Sequence, residues 1–114
     1  TLIIVTGAPG TGKTTLARRL AVHYGLPLLA KDALKERLFD SLGMGDTVWS
    51  QRLSRVSIGL LYLLLEELLA ARVSCVIEAN FWRSLATHDL APLIARYQPR
   101  LIQVVCHTAP DVLQ

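Results

Sequence analysis

The chain has 114 residues, 52% of them hydrophobic and 18% charged, with 12 Lys and Arg against 9 Asp and Glu, and a mean hydropathy of +0.39. That length sets an expectation of one domain over residues 1–114, with core enough to fold without disulfide or metal staples. A formal charge of +3 is too mild to argue for nucleic acid by itself, and the longest uncharged apolar-rich run, residues 56–65, falls well short of the roughly 18 residues a membrane span requires.

In chain order, residues 2–6 are nearly all apolar and β-branched, the pattern of a strand buried on both faces of a parallel sheet. Residues 7–12 are too glycine-rich for a regular element. From residue 13 to about 24, Leu16, Ala17, Leu20 and Ala21 recur at helical spacing, and Gly25 with Pro27 ends the helix. Residues 28–30 read as a second strand, and residues 32–42 as a helix that Gly43 and Gly45 close. Residues 47–72 form the longest helical stretch; its leucines between 60 and 69 nearly encircle it, which implies burial or a partner, and Gly59 marks a candidate kink. Residues 73–77 are a third strand, 84–97 a fourth helix interrupted by Pro92, and 101–106 a fourth strand; Pro110 and Asp111 read as a further helix start. Strands alternating with helices predict an α/β fold with a parallel sheet and helices on both faces. Cys75 and Cys106 fall in strand-like segments, as free thiols in a reducing cytoplasm would, and the first residues lack a signal-peptide pattern. The chain opens on Thr1 rather than Met and stops at Gln114 just after the Pro-Asp pair, so a fragment is expected, its surplus hydrophobicity being core surface whose cover is missing.

Residues Gly7, Ala8, Pro9, Gly10, Thr11, Gly12, Lys13 and Thr14 match G-x-x-x-x-G-K-[ST] at every fixed position. Composition alone gives that match in roughly 0.4% of chains of this length. Its place between a buried strand and a helix is the confirming context. The glycines let backbone N–H groups wrap a polyphosphate at a helix N-terminus, Lys13 reaches its outer phosphates, and the Thr14 hydroxyl faces Mg²⁺, with Thr15 following in the same turn.

Phosphoryl transfer to a hydroxyl also needs a carboxylate that orients the acceptor and takes its proton. Asp32 follows the second strand, on the sheet edge that carries the phosphate loop; a plain helix N-cap is the competing role. Glu78 ends the third strand, where it could assist Mg²⁺ through water or position the acceptor. Asn80 and Arg83, on the loop after it, and Arg37 are candidate substrate contacts. Lys31 and Lys35 are candidates for the acceptor as well, against the default of exposed helix charges. His23, His88 and His107 have no metal-ligand spacing.

Residues 7–15 (Gly-Ala-Pro-Gly-Thr-Gly-Lys-Thr-Thr), 26–36 (Leu-Pro-Leu-Leu-Ala-Lys-Asp-Ala-Leu-Lys-Glu), 76–81 (Val-Ile-Glu-Ala-Asn-Phe) and 105–110 (Val-Cys-His-Thr-Ala-Pro) resemble the small P-loop kinases with AAA-type ATP-binding domains. These are relatives of zeta toxin, chloramphenicol phosphotransferase, gluconate kinase and the kinase domain of polynucleotide kinase. The resemblance implies a P-loop NTPase fold, a three-layer sandwich, and ATP- and Mg²⁺-dependent phosphorylation of a hydroxyl on a small molecule or nucleic-acid end. In it Asp32 matches the acceptor-side aspartate, and Lys13 and Thr14 match the P-loop residues. Such kinases continue into an arginine-bearing lid and a last strand, both expected to be missing here, so weak ATP binding and poor turnover are expected of this chain alone. A non-catalytic ATP-binding module or an ATPase, docking through its leucine-dense helix, is the alternative. A nucleoside-monophosphate kinase is disfavoured, because the arginines expected around a nucleotide acceptor are not clearly placed.

Overall fold

The computed structural model describes residues 1–8, 10–80 and 89–107. The elements are β1 (Leu2–Gly7), α1 (Lys13–Tyr24), β2 (Leu28–Ala30), α2 (Lys31–Leu42), α3 (Thr47–Ala70), β3 (Cys75–Glu78), α4 (Ala91–Tyr97) and β4 (Leu101–Cys106). The strands form one four-stranded sheet in the order β2-β3-β1-β4, and every pairing is parallel. This is an α/β fold, a parallel sheet flanked by helices, as the alternation of elements predicts. The expected helix opening at residues 110–111 lies outside the described residues, as do Pro9, Arg83 and residues 84–88 of the expected fourth helix.

Alternation along the central strands divides the core between two layers. Leu2 and Ile4 of β1 and Cys75 and Ile77 of β3 face Leu61, Leu65 and Leu69 of α3, with Leu93, Ile94 and Tyr97 of α4 packed beside them. Ile3, Val5 and Val76 point the other way, onto Ala17 and Ala21 of α1. Alanines there let α1 lie close to the sheet, which holds the loop between β1 and α1 tightly at the strand ends. β4 is an edge strand, and Leu101, Ile102 and Val105 on it are exposed.

Helix α3 corrects one expectation. Its buried residues are Leu53, Ser57, Leu61, Leu65 and Leu69, a single stripe at every fourth position, so the leucines do not all pack: Leu63 and Leu64 lie on the open side. The helix also runs unbroken for 24 residues through Gly59. Asp46 caps its start by accepting from the Trp49 amide at 2.9 Å, and the Trp49 indole donates to the Gly43 carbonyl at 2.9 Å. Smaller differences lie at element ends. α2 begins one residue early, at Lys31, and α3 stops at Ala70, where Arg72 at φ 58 turns the chain toward β3. β3 therefore begins at Cys75 rather than at residue 73. Pro92 stands in the first turn of α4, the position where its missing N–H costs no helical bond. No helix among the described residues is long and apolar enough to cross a membrane.

Leu65 is fully buried and Leu63 is 61% exposed, so Leu65→Ala should lower unfolding free energy by about 2–5 kcal/mol and Leu63→Ala by no more than about 0.5 kcal/mol, read by urea denaturation. Gly7 gives a second test. It sits at φ +155, where a Cβ would come within 2.8 Å of the Cys106 carbonyl oxygen and 2.9 Å of Thr11 Oγ1. Gly7→Ala should therefore cost roughly 1–3 kcal/mol and loosen the junction of β1 with β4 in the same denaturation experiment.

Candidate active site

The site forms at the carboxyl ends of the strands, the edge where open parallel sheets place ligands. β1 runs out at Gly7, and the chain turns through Gly10 at φ +80 and Gly12 at φ +79 before α1 starts. Residues with a Cβ rarely adopt those angles, which accounts for the motif's glycines physically. Thr11 ties the turn by donating from its hydroxyl to the Ala8 carbonyl at 2.6 Å. Gly12 caps α1 with no side-chain hydrogen bond, which leaves the first-turn N–H groups facing the loop for an anion. Thr15, the third residue of α1, is exposed.

Lys13 is buried, and its ammonium donates to the Gly7 carbonyl and to Asn80 Oδ1, both at 3.1 Å. Asn80, expected among the substrate contacts, is therefore the partner that holds Lys13. It joins the loop after β3 to the phosphate loop. Thr14 donates from its hydroxyl to Glu78 Oε1 at 3.0 Å. Glu78 is 1% exposed, and its second oxygen, Oε2, has no hydrogen-bond partner among the described residues. A buried carboxylate oxygen left without a donor is costly in isolation. Together with the Thr14 hydroxyl it supplies the hard oxygen donors that Mg²⁺ takes, directly or through water. These residues fit that ion.

Asp32 lies in the first turn of α2, whose N-cap is Ala30, so the plain capping role does not hold. Its side chain is 68% exposed and stands 3.8 Å from the Lys31 ammonium. Ala30 pairs with Glu78 in the β2–β3 ladder, which sets Asp32 beside the buried acid at the same sheet edge. Arg37 is exposed further along α2; Arg83 lies outside the described residues.

Two groups that the sequence did not bring forward are Ser50 and Ser54 of α3. The Lys31 ammonium donates to Ser54 Oγ at 3.1 Å and Lys35 to Ser50 Oγ at 3.0 Å. The signal was an i, i+4 pair of lysines facing an i, i+4 pair of serines on the next helix. Lys31 is held below the ordinary lysine range, chiefly by burial. The Asp32 carboxylate opposes that shift, the Lys35 and Lys13 ammoniums add to it, and the Glu78 carboxylate counters it weakly.

Comparison with known proteins agrees with this geometry. A family model described as an AAA domain matches residues 2–114. A protein from Chloroflexus aurantiacus J-10-fl, whose description as a kinase is provisional, has a crystal structure 43% identical in sequence with a TM-score of 0.93. The match covers 99% of this chain and 62% of that one. A gluconokinase from Sinorhizobium meliloti 1021 superposes at a TM-score of 0.56 with 21% identity, over 99% of this chain and 60% of its own. A chain of the Pnkp1/Rnl/Hen1 complex does so at 0.68 and 21%, over 98% and 37%. At that identity these two speak for the fold. A curated cytidylate kinase from Pyrobaculum aerophilum is 44% identical over 43 residues, 38% of this chain and 23% of that protein. The chain thus spans less than two thirds of these relatives' lengths. With the family matched along nearly all its residues and a phosphate loop seated between β1 and α1, this chain belongs to the AAA-domain family.

Proposed function

We propose that this chain binds ATP and Mg²⁺ and takes part in transfer of the γ-phosphate to a hydroxyl group of an acceptor. The observation that carries the reading is the buried Lys13–Asn80 and Thr14–Glu78 arrangement at the end of the β1 loop, with Asp32 in the first turn of α2, just after the neighbouring strand β2. The match to part of a cytidylate kinase and the likeness to the Chloroflexus aurantiacus protein support a kinase, with a nucleotide, a sugar acid or a nucleic-acid end open as acceptor. Two free thiols, Cys75 and Cys106, support a reducing, cytoplasmic setting.

In this reading the loop from Gly7 to Thr14 holds the phosphates through backbone N–H groups, and Lys13 keeps its ammonium beside them. Thr14 and Glu78 would hold Mg²⁺, which when bound neutralises charge on the phosphates. Asp32 orients the acceptor hydroxyl. As the acceptor oxygen bonds to the γ phosphorus, the bond from that phosphorus to the bridging oxygen breaks, ADP departs, and the hydroxyl proton passes to the Asp32 carboxylate.

The test is transfer of labelled γ-phosphate from ATP to a panel of hydroxyl acceptors, with labelled product expected. Free phosphate alone would make the chain an ATPase, and neither product, with ATP bound, a binding module. Asp32→Asn should keep ATP affinity while cutting transfer by about 10²-fold or more, and unchanged transfer would remove Asp32 from the mechanism. Lys13→Ala should weaken ATP binding and transfer together; normal ATP affinity in that variant would overturn the phosphate-loop assignment.

A further inference from the structure

The facing sides of α2 and α3 carry two cross-helix rungs, Lys31 with Ser54 and Lys35 with Ser50. The helices run antiparallel there, so the rungs stack one helical turn apart, about 6 Å along the axis. Neither lysine is an ordinary solvated surface charge. The Lys31 side chain is 20% exposed and Lys35 is half-buried. Each ammonium has three N–H donors and spends one on a serine. The one ion pair among the described residues is the 3.8 Å contact of Lys31 with Asp32, whose own carboxylate is mostly in solvent. Among the described residues no carboxylate pairs with Lys35; its other neighbour is the Phe39 ring, 5.5 Å from ring centre to nitrogen.

Half-burying two ammoniums against neutral hydroxyls is unfavourable unless a counter-charge completes them. The serines make the arrangement directional. Each hydroxyl oxygen accepts from a lysine, so its own O–H remains a donor. The two rungs together are therefore rich in donors, from two ammoniums and two hydroxyls. That is a match for the oxygens of a phosphate or carboxylate and a poor one for a neutral sugar. The rungs start beside Asp32, and Lys31 is near enough to Lys13 and Glu78 to feel both charges.

We propose that Lys31, Ser54, Lys35 and Ser50 form an anion subsite for the acceptor. The substrate class is then a hydroxyl compound that also carries a phosphate or carboxylate group, its anion on the rungs and its hydroxyl toward Asp32. This rests on the kinase reading above, and the test separates the two.

The first arm needs no turnover. Inorganic phosphate, and separately acetate, is titrated into the protein saturated with AMP-PNP and Mg²⁺, which occupy the phosphate loop, while the Ser50 and Ser54 amides are followed by NMR. Saturable shifts are expected with at least one of the two anions, and which one binds tells phosphate from carboxylate. The double variant Lys31→Met, Lys35→Met should weaken that binding at least about tenfold, and Lys31→Arg, Lys35→Arg should restore most of it. A purely structural pair of rungs would give no saturable shift, or one that the methionine variant leaves unchanged, and either result overturns the proposal. The second arm compares ribose with ribose 5-phosphate and glucose with gluconate as acceptors. At least one anionic member should have a KM lower by about tenfold or more. The double methionine variant should abolish that preference, with the KM for ATP kept. Transfer without any anion preference refutes the subsite alone, whereas anion binding on the lysines without transfer to any acceptor refutes the kinase reading alone.

Discussion

Val5 stands opposite Glu78 in the parallel ladder between β1 and β3, and the rest of the site depends on that register. Two residues beyond Val5 the chain enters the phosphate loop; two residues beyond Glu78 comes Asn80. The Lys13 ammonium then closes the gap between the two strand ends by bonding to Gly7 and Asn80 together. A slip of one residue would turn Leu2 and Ile4 away from α3 and carry Glu78 off Thr14 in the same movement. Core packing and site geometry are therefore set by one constraint. The two hydrophobic layers that select the register also deliver the acid, the lysine and the hydroxyl to one edge.

The second consequence concerns what is buried. Lys13 and Glu78 lie in the interior almost as deeply as the leucines beneath them. Charged groups in such positions need partners, because desolvation otherwise drives them toward neutrality or out of the core. Lys13 has two carbonyl-type oxygens and Glu78 has one hydroxyl, with one oxygen left over. The lysine keeps one N–H beyond those two bonds, and the carboxylate keeps one oxygen without a donor among the described residues. That asymmetry suits a site which adds an anion near the helix N-terminus and a cation beside Glu78. Their charges complement one another as well as the protein.

Much of this was legible in the sequence for simple reasons. Continuous apolar runs such as Leu2 to Val5 admit little else than a doubly covered strand, and the glycine spacing of the loop encodes backbone angles that other residues resist. Lys13, Thr14 and Glu78 could be placed because each stands at a helix start or a strand end, which the pattern of elements locates. The side-chain partners were harder to read. Asn80 looked like a substrate contact because nothing local announces that a lysine 67 residues away will reach it. For Asp32 the cap competed with the acceptor-side role because Asp often caps, and the cap falls away because helix α2 has already begun at Lys31. The leucines of α3 misled for a related reason: composition says how much apolar surface exists, whereas only the packed sheet says which stripe it covers.

Lys31 and Asp32 are neighbours in sequence, and helical geometry gives them separate tasks. Successive residues on a helix point about 100° apart, so with Lys31 turned toward α3 and bonded to Ser54, Asp32 must project elsewhere, and its side chain is mostly in solvent. A carboxylate that is to receive a proton has to be reachable by the acceptor. A lysine that is to hold an anion gains strength from partial burial, where charge is less screened. Starting α2 one residue earlier than its sequence suggests is what makes both conditions hold at once. Had the helix started at Asp32, Lys31 would have stood outside it, and the spacing of Lys31 from Lys35 would no longer match that of Ser54 from Ser50 across the groove.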